Sequence, residues 1–94
     1  MTDELYEKVI YQNDDKGYQL NLVVNEFRGK HYIHIRKYFL SYENEFIPSK
    51  EGISMEASLQ NIFSLLDGLI DIVSREEAKE LIHLYFKDKL ISLE

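Results

Sequence analysis

Lys30, Tyr32, His34, Arg36 and Tyr38 recur at every second position of one short segment. At a strand's period of two they share one face, which alternates base and ring and holds no acid. Cationic side chains track a phosphate backbone, and exposed rings stack on unpaired bases. Phe27, on the polar side of the preceding segment, adds a ring that has no core position. This combination is the chemistry of single-stranded nucleic acid; a duplex groove calls for an inserted helix or ribbon. The same residues also serve as ordinary cross-strand pairs that stiffen an exposed sheet.

Other chemistry finds little support. His31 and His34 are three apart on a strand, so they point to opposite faces and cannot chelate one metal, and His83 stands alone on a helix. Asp67 and Asp71, four apart on a helix, fall on its polar face and read as a solvated pair. The four glycines are isolated, so no phosphate-cradling loop is present. The chain lacks Cys, which excludes disulfides, thiolate zinc sites and Cys nucleophiles. No local motif suggests a Ser-His-Asp arrangement. The expectation is a protein without enzymatic activity, cofactor or metal.

The elements that position these residues follow from the pattern. Tyr6–Gln12 is β-branched and aromatic, and Asn13-Asp14-Asp15-Lys16-Gly17 is a cluster of turn formers. Tyr18–Phe27 is a strand with Leu20, Leu22 and Val24 on one face and Gln19, Asn21, Val23, Asn25 and Phe27 on the other. Arg28-Gly29 makes a tight hairpin turn. Lys30–Phe39 follows, with Ile33 and Ile35 marking its core face, which also carries His31, Lys37 and Phe39. Phe46–Ser54, broken by Pro48 and Gly52, reads as an edge or bulged strand.

From Ala57 the period becomes 3.6: Leu59, Ile62, Phe63, Leu66, Leu69, Ile70 and Val73 form a helical stripe, with Ser54 or Ser58 as its cap. Ser74-Arg75-Glu76-Glu77 matches a capping box and predicts a second helix from near Arg75. The fold class is therefore α+β, a four-stranded antiparallel sheet followed by one or two helices. We read residues 1–73 as sheet plus helix and 74–94 as a helical extension of the same domain.

The chain has 94 residues, 45% of them hydrophobic, which makes one domain with a small core. The helices carry more apolar surface than so small a sheet covers. This points to a homodimer joined through the stripe; the alternative is a helix hairpin folded over one sheet face. Net charge is −6, unlike most nucleic-acid binders, but residues 27–50 carry +3 and the flanks −9. No membrane-length apolar run and no basic-then-apolar leader occur, so a soluble intracellular protein, in cytoplasm, nucleoid or nucleus, is the expectation.

Phe27-Arg28-Gly29-Lys30, Ile35-Arg36-Lys37-Tyr38-Phe39, Pro48 and Gly52-Ile53-Ser54-Met55 resemble, in order and spacing, the transcriptional coactivator family called positive cofactor four. The resemblance runs without gaps from about Tyr18 to Met55, with a compatible helix after it. It implies a curved four-stranded sheet, dimerisation through the helices, and channels for single-stranded or melted DNA, with RNA open as a second ligand. It further implies a role in transcription regulation or in DNA replication and repair, with proteins of those processes as partners. Matched by position, the DNA-contacting group is Phe27, Arg28, Lys30, Arg36, Phe39 and Lys50, with Tyr32, His34 and Tyr38 as extra contacts. Phe39 stands where the family has a stacking Trp; a bulge near Tyr38 would bring it from the core face to the basic one. Ile47 and Glu51 stand where the family has lysines, and Asn25 where a basic residue is common, which lowers the expected affinity and salt slope. His34 replaces an acid and makes the face more positive. A different outcome is a protein-interaction module that keeps the fold without strong DNA binding and takes its partner on Leu81–Leu90.

Overall fold

A computed structural model describes residues 3–75 and 78–91. Strands β1 (Asp3–Asn13), β2 (Tyr18–Phe27), β3 (Lys30–Leu40) and β4 (Phe46–Glu56) are followed by helices α1 (Leu59–Arg75) and α2 (Lys79–Ile91). All strand pairs are antiparallel, in the order β1-β2-β3-β4. The chain divides into two units, Met1–Asn61 and Ile62–Glu94.

The turns follow from local chemistry. Phe27 pairs directly with Lys30, so Arg28-Gly29 is a two-residue loop, and both residues have positive φ (53° and 80°), as a type I′ turn demands. Gly17 supplies positive φ before β2, where Asn13 Oδ1 accepts the Lys16 N–H at 3.0 Å. The β3–β4 loop is closed by Ser41, whose Oγ accepts the N–H groups of Glu43 and Glu45, each at 3.2 Å.

Pairing of β2 with β3 is regular from end to end, whereas both edge strands are irregular. On β1 the register shifts at Leu5 and at Ile10, so Glu4, Glu7, Val9 and Gln12 share one face, and Tyr6, Lys8 and Tyr11 the other. On β4, Ser49-Lys50-Glu51 stand opposite the single residue Lys37, in the stretch that Pro48 and Gly52 bracket. Ser49 Oγ donates to the Lys37 carbonyl at 2.6 Å and fixes this wide bulge.

Burial departs from the expected core. The isoleucine face of the sheet is only half-buried or exposed, and the buried residues Gln19, Asn21 and Val23 lie on the opposite, polar face of β2. That strand is central, so each of the three is flanked on both sides: Gln19 by Gln12 and Tyr38, Asn21 by Val9 and Arg36, and Val23 by Glu7 and His34. Gln19 Nε2 donates to Gln12 Oε1 at 3.0 Å, and Asn21 Nδ2 donates to Glu7 Oε1 at 2.8 Å.

In the helical region, Ser58 rather than Ser54 caps α1, accepting the Asn61 N–H at 3.1 Å. The stripe residues Leu59, Ile62, Phe63, Leu66, Leu69 and Ile70 are exposed, and Val73 is half-buried. The helix continues through Arg75, past the expected second start, and α2 begins at Lys79; Glu76 and Glu77 of the capping box lie outside the described residues. Among the described residues α1 and α2 do not pack together as a hairpin. None of the described helices is long and apolar enough to cross a membrane.

Candidate nucleic-acid interface

The regular β2–β3 register keeps Lys30, Tyr32, His34, Arg36 and Tyr38 on one face of β3, opposite Phe27, Asn25, Val23, Asn21 and Gln19 of β2. At the hairpin tip, the Arg28 guanidinium lies 5.0 Å from the centre of the half-buried Phe27 ring, and Lys30 is exposed beside it. A cation over a ring keeps both groups available at one point of the surface.

Farther along the polar face the groups are engaged with one another. His34 bridges three strands: Nε2 faces Asn25 Oδ1 at 2.9 Å and so carries the proton, and Nδ1 accepts from the Ser54 hydroxyl at 2.5 Å. Burial, and then the charge of Arg36, hold the His34 pKa below its ordinary value of 6.5. At neutral pH it is therefore a polar bridge that adds no charge of its own, and the face is more positive than with an acid at this position. Tyr38 is raised by burial and by its hydrogen bond and proximity to Glu7. Glu4 is raised by hydrogen bonding to Glu7 and by burial, with Arg36 acting in the opposite direction. The acids of β1 thus face Arg36 across the central strand. Asn21 Oδ1 is buried with no protein hydrogen-bond partner.

Phe39 lies on the other face. Alternation along β3 is uninterrupted, and the bulge that was to move Phe39 lies in β4 instead. Phe39 pairs with Tyr18 on one side and Ile47 on the other. The Lys37 ammonium sits 4.5 Å from the centre of the Tyr18 ring and 4.9 Å from that of Phe39, and 3.4 Å from the Glu51 carboxylate. Lys50 projects, exposed, from the β4 bulge.

The expected contact group is therefore split. Phe27, Arg28 and Lys30 gather at one tip, with Arg36, Tyr32, His34 and Tyr38 along the same face; Phe39 belongs to the opposite face, with Lys37 and Tyr18. The sequence reading missed Tyr18 and Lys37. Their signal was Lys37 and Phe39 two apart on one strand, but joining Tyr18 to them requires the strand register.

The family model described as Transcriptional Coactivator p15 (PC4) matches residues 15–63, more than half of the 94. The chain belongs to the PC4 family. Among solved structures, the chain is similar to the bacteriophage T5 homologue of the eukaryotic transcription coactivator PC4, a protein implicated in recombination-dependent DNA replication. The two are 27% identical with a TM-score of 0.70, over 92% of this chain and 94% of that one. No curated protein matches. The PC4 assignment covers β2, β3, β4 and the start of α1, the elements that carry both ring–cation clusters.

Proposed function

We propose that this PC4-family protein is a non-enzymatic, homodimeric single-stranded-DNA-binding protein. The observation that carries the reading is the pairing of cation and ring at the surface, Arg28 on Phe27 and Lys37 on Tyr18 and Phe39. On one face of the sheet phosphates contact Arg28, Lys30 and Arg36 and a base stacks on Phe27; on the opposite face a base stacks on Phe39, and Lys50, exposed at the β4 bulge, adds a phosphate contact. The exposed apolar stripe of α1 supports dimerisation. The phage relative's association with replication supports a role in DNA replication or recombination for this chain, with transcription the alternative that the family description offers.

The test is fluorescence anisotropy with a labelled oligothymidine of about 20 nucleotides, against duplex of the same length, at two salt concentrations. Single-strand preference that weakens with salt is expected; no binding at low salt would sink the reading. Phe39→Ala should weaken binding by about 1–3 kcal/mol, the contribution of one stacked base. Arg36→Ala should lower the magnitude of the salt slope by about one unit, and an unchanged slope would remove Arg36 from the phosphate contacts.

A further inference from the structure

Tyr18, Phe39 and Ile47 are direct cross-strand partners, so they form one row across β2, β3 and β4. Tyr11 of β1 continues it: its ring centre is 6.0 Å from that of Tyr18, with the planes tilted by 52°. The β1 irregularity at Ile10 is what puts Tyr11 on this face. At neighbouring-strand spacing of about 4.8 Å the row spans roughly 14 Å, the reach of a few nucleotides. Tyr11 is 48%, Phe39 38% and Ile47 49% exposed, so the row is open to solvent at both ends and at Phe39. Beside Ile47 an open hollow of about 500 Å³ is lined by Leu40, Ser41, Tyr42 and Ile47.

One ammonium belongs to this row. Lys37 lies over two of its rings and pairs with the exposed Glu51 carboxylate, a surface ion pair that is readily exchanged for another anion. A row of rings with a single displaceable cation complements a polyanion whose bases stack, and complements an apolar peptide less well.

We propose that Tyr11 and Tyr18 extend the Phe39 stacking platform across β2 onto β1, so that a single strand of nucleic acid crosses the sheet perpendicular to its β-strands. Lys37 leaves the rings as bases enter and pairs with a phosphate instead of Glu51. Ile47 is then the apolar end of the track as well as a lost positive charge. This inference rests on the single-strand-binding function proposed above, in which Phe39 stacks on a base.

The experiment is a titration of a labelled oligothymidine of about 20 nucleotides with the full chain and its Tyr11 variants. Tyr11 is exposed on an edge strand, so its replacement leaves the fold standing, which circular dichroism checks. Tyr11→Ala and Tyr11→Leu should each weaken binding about five- to tenfold, the lower end of what one base–ring stack contributes, and Tyr11→Phe should retain wild-type affinity. Ultraviolet crosslinking of a bromouridine-substituted oligonucleotide should yield adducts on Tyr11 or Tyr18. If Phe39→Ala weakens binding while Tyr11→Ala and Tyr11→Leu bind like wild type without an adduct on either tyrosine, the track is overturned and the function stands. If the wild-type chain binds no oligothymidine, both fall. Capture of an unstructured apolar peptide by the row, with no oligothymidine binding, would assign it to protein recognition and also overturn the inference.

Discussion

At the residue scale, His34 shows how a side chain read as a charge becomes a structural bridge. Its two ring nitrogens tie β2 to β4 through Asn25 and Ser54, and burial followed by the Arg36 charge favours its neutral form. The sign of the resulting pH dependence follows. The folded protein binds this proton less readily than the unfolded chain, so the contribution to stability is present above the ordinary value of 6.5 and is lost as pH falls through the lowered one. Glu4 acts in the opposite sense, because Glu7 makes its ionised form less favourable in the folded state. A comparison with His34→Gln isolates the histidine. Between pH 7.5 and 5 the wild type should lose thermal stability relative to His34→Gln; parallel profiles would mean that His34 titrates as it does in the unfolded chain. Protonated His34 also stands beside Arg36, so affinity for single strands should rise over the same interval in the wild type alone.

At the scale of elements, the irregularities of β4 distribute the functional groups. Gly52 pairs with Arg36 where the strands approach closely: a Cβ there would lie 2.5 Å from the Ile35 carbonyl oxygen and 3.1 Å from the Arg36 Cα. Backbone cannot rotate out of the way, so Gly52→Ala should force β4 from β3 at a cost of about 1–3 kcal/mol. The melting temperature should fall by several degrees, since about 1 kcal/mol moves a domain of this size by roughly 4–8 °C. Gly68 is the contrast: it lies within α1 with open space around its Cβ position, so Gly68→Ala should stabilise the helix by about 1 kcal/mol. Equal effects of the two variants would refute the close-approach argument. These elements also mark how far the sequence could be read. Uninterrupted alternation in β2 and β3 and the Arg28-Gly29 turn were legible, because period and turn chemistry are local. That β4 is an edge strand with a bulge was also legible, from Pro48 and Gly52, but the bulges at Leu5 and Ile10 and the identity of the unpaired residues of β4 were not, because which residue a bulge leaves unpaired depends on the partner strand. The tip cluster of Phe27, Arg28 and Lys30 was therefore visible, whereas the alliance of Tyr18 with Lys37 and Phe39 was not.

At the scale of the whole molecule, one question is what completes a chain whose apolar side chains are so open. Among the described residues Val23 is the buried apolar one, at 3% exposure, and the α1 stripe is exposed, with Leu59 at 68% and Phe63 at 59%. A domain of this size gains little from its own core and commonly adds burial by association. A continuous apolar stripe on a 17-residue helix, about 25 Å long, is large enough to direct that association, and a second copy offers the same stripe in return. The net charge of −6 makes general clustering unfavourable, so a closed pair is favoured over open-ended association. Sedimentation velocity at tens of micromolar should therefore give a dimer, and Phe63→Asp or Leu66→Asp should give a monomer by placing a charge in the stripe. Helix content should fall in both variants, because a helix of this length holds poorly in water without a packed face. Thermal stability of the wild type should rise with protein concentration, as it must when association favours the folded state. A monomeric wild type with concentration-independent melting would reject the dimer. It would leave the rings and cations of the sheet to bind single strands one chain at a time, and the salt slope measured per chain would then be that of the whole complex.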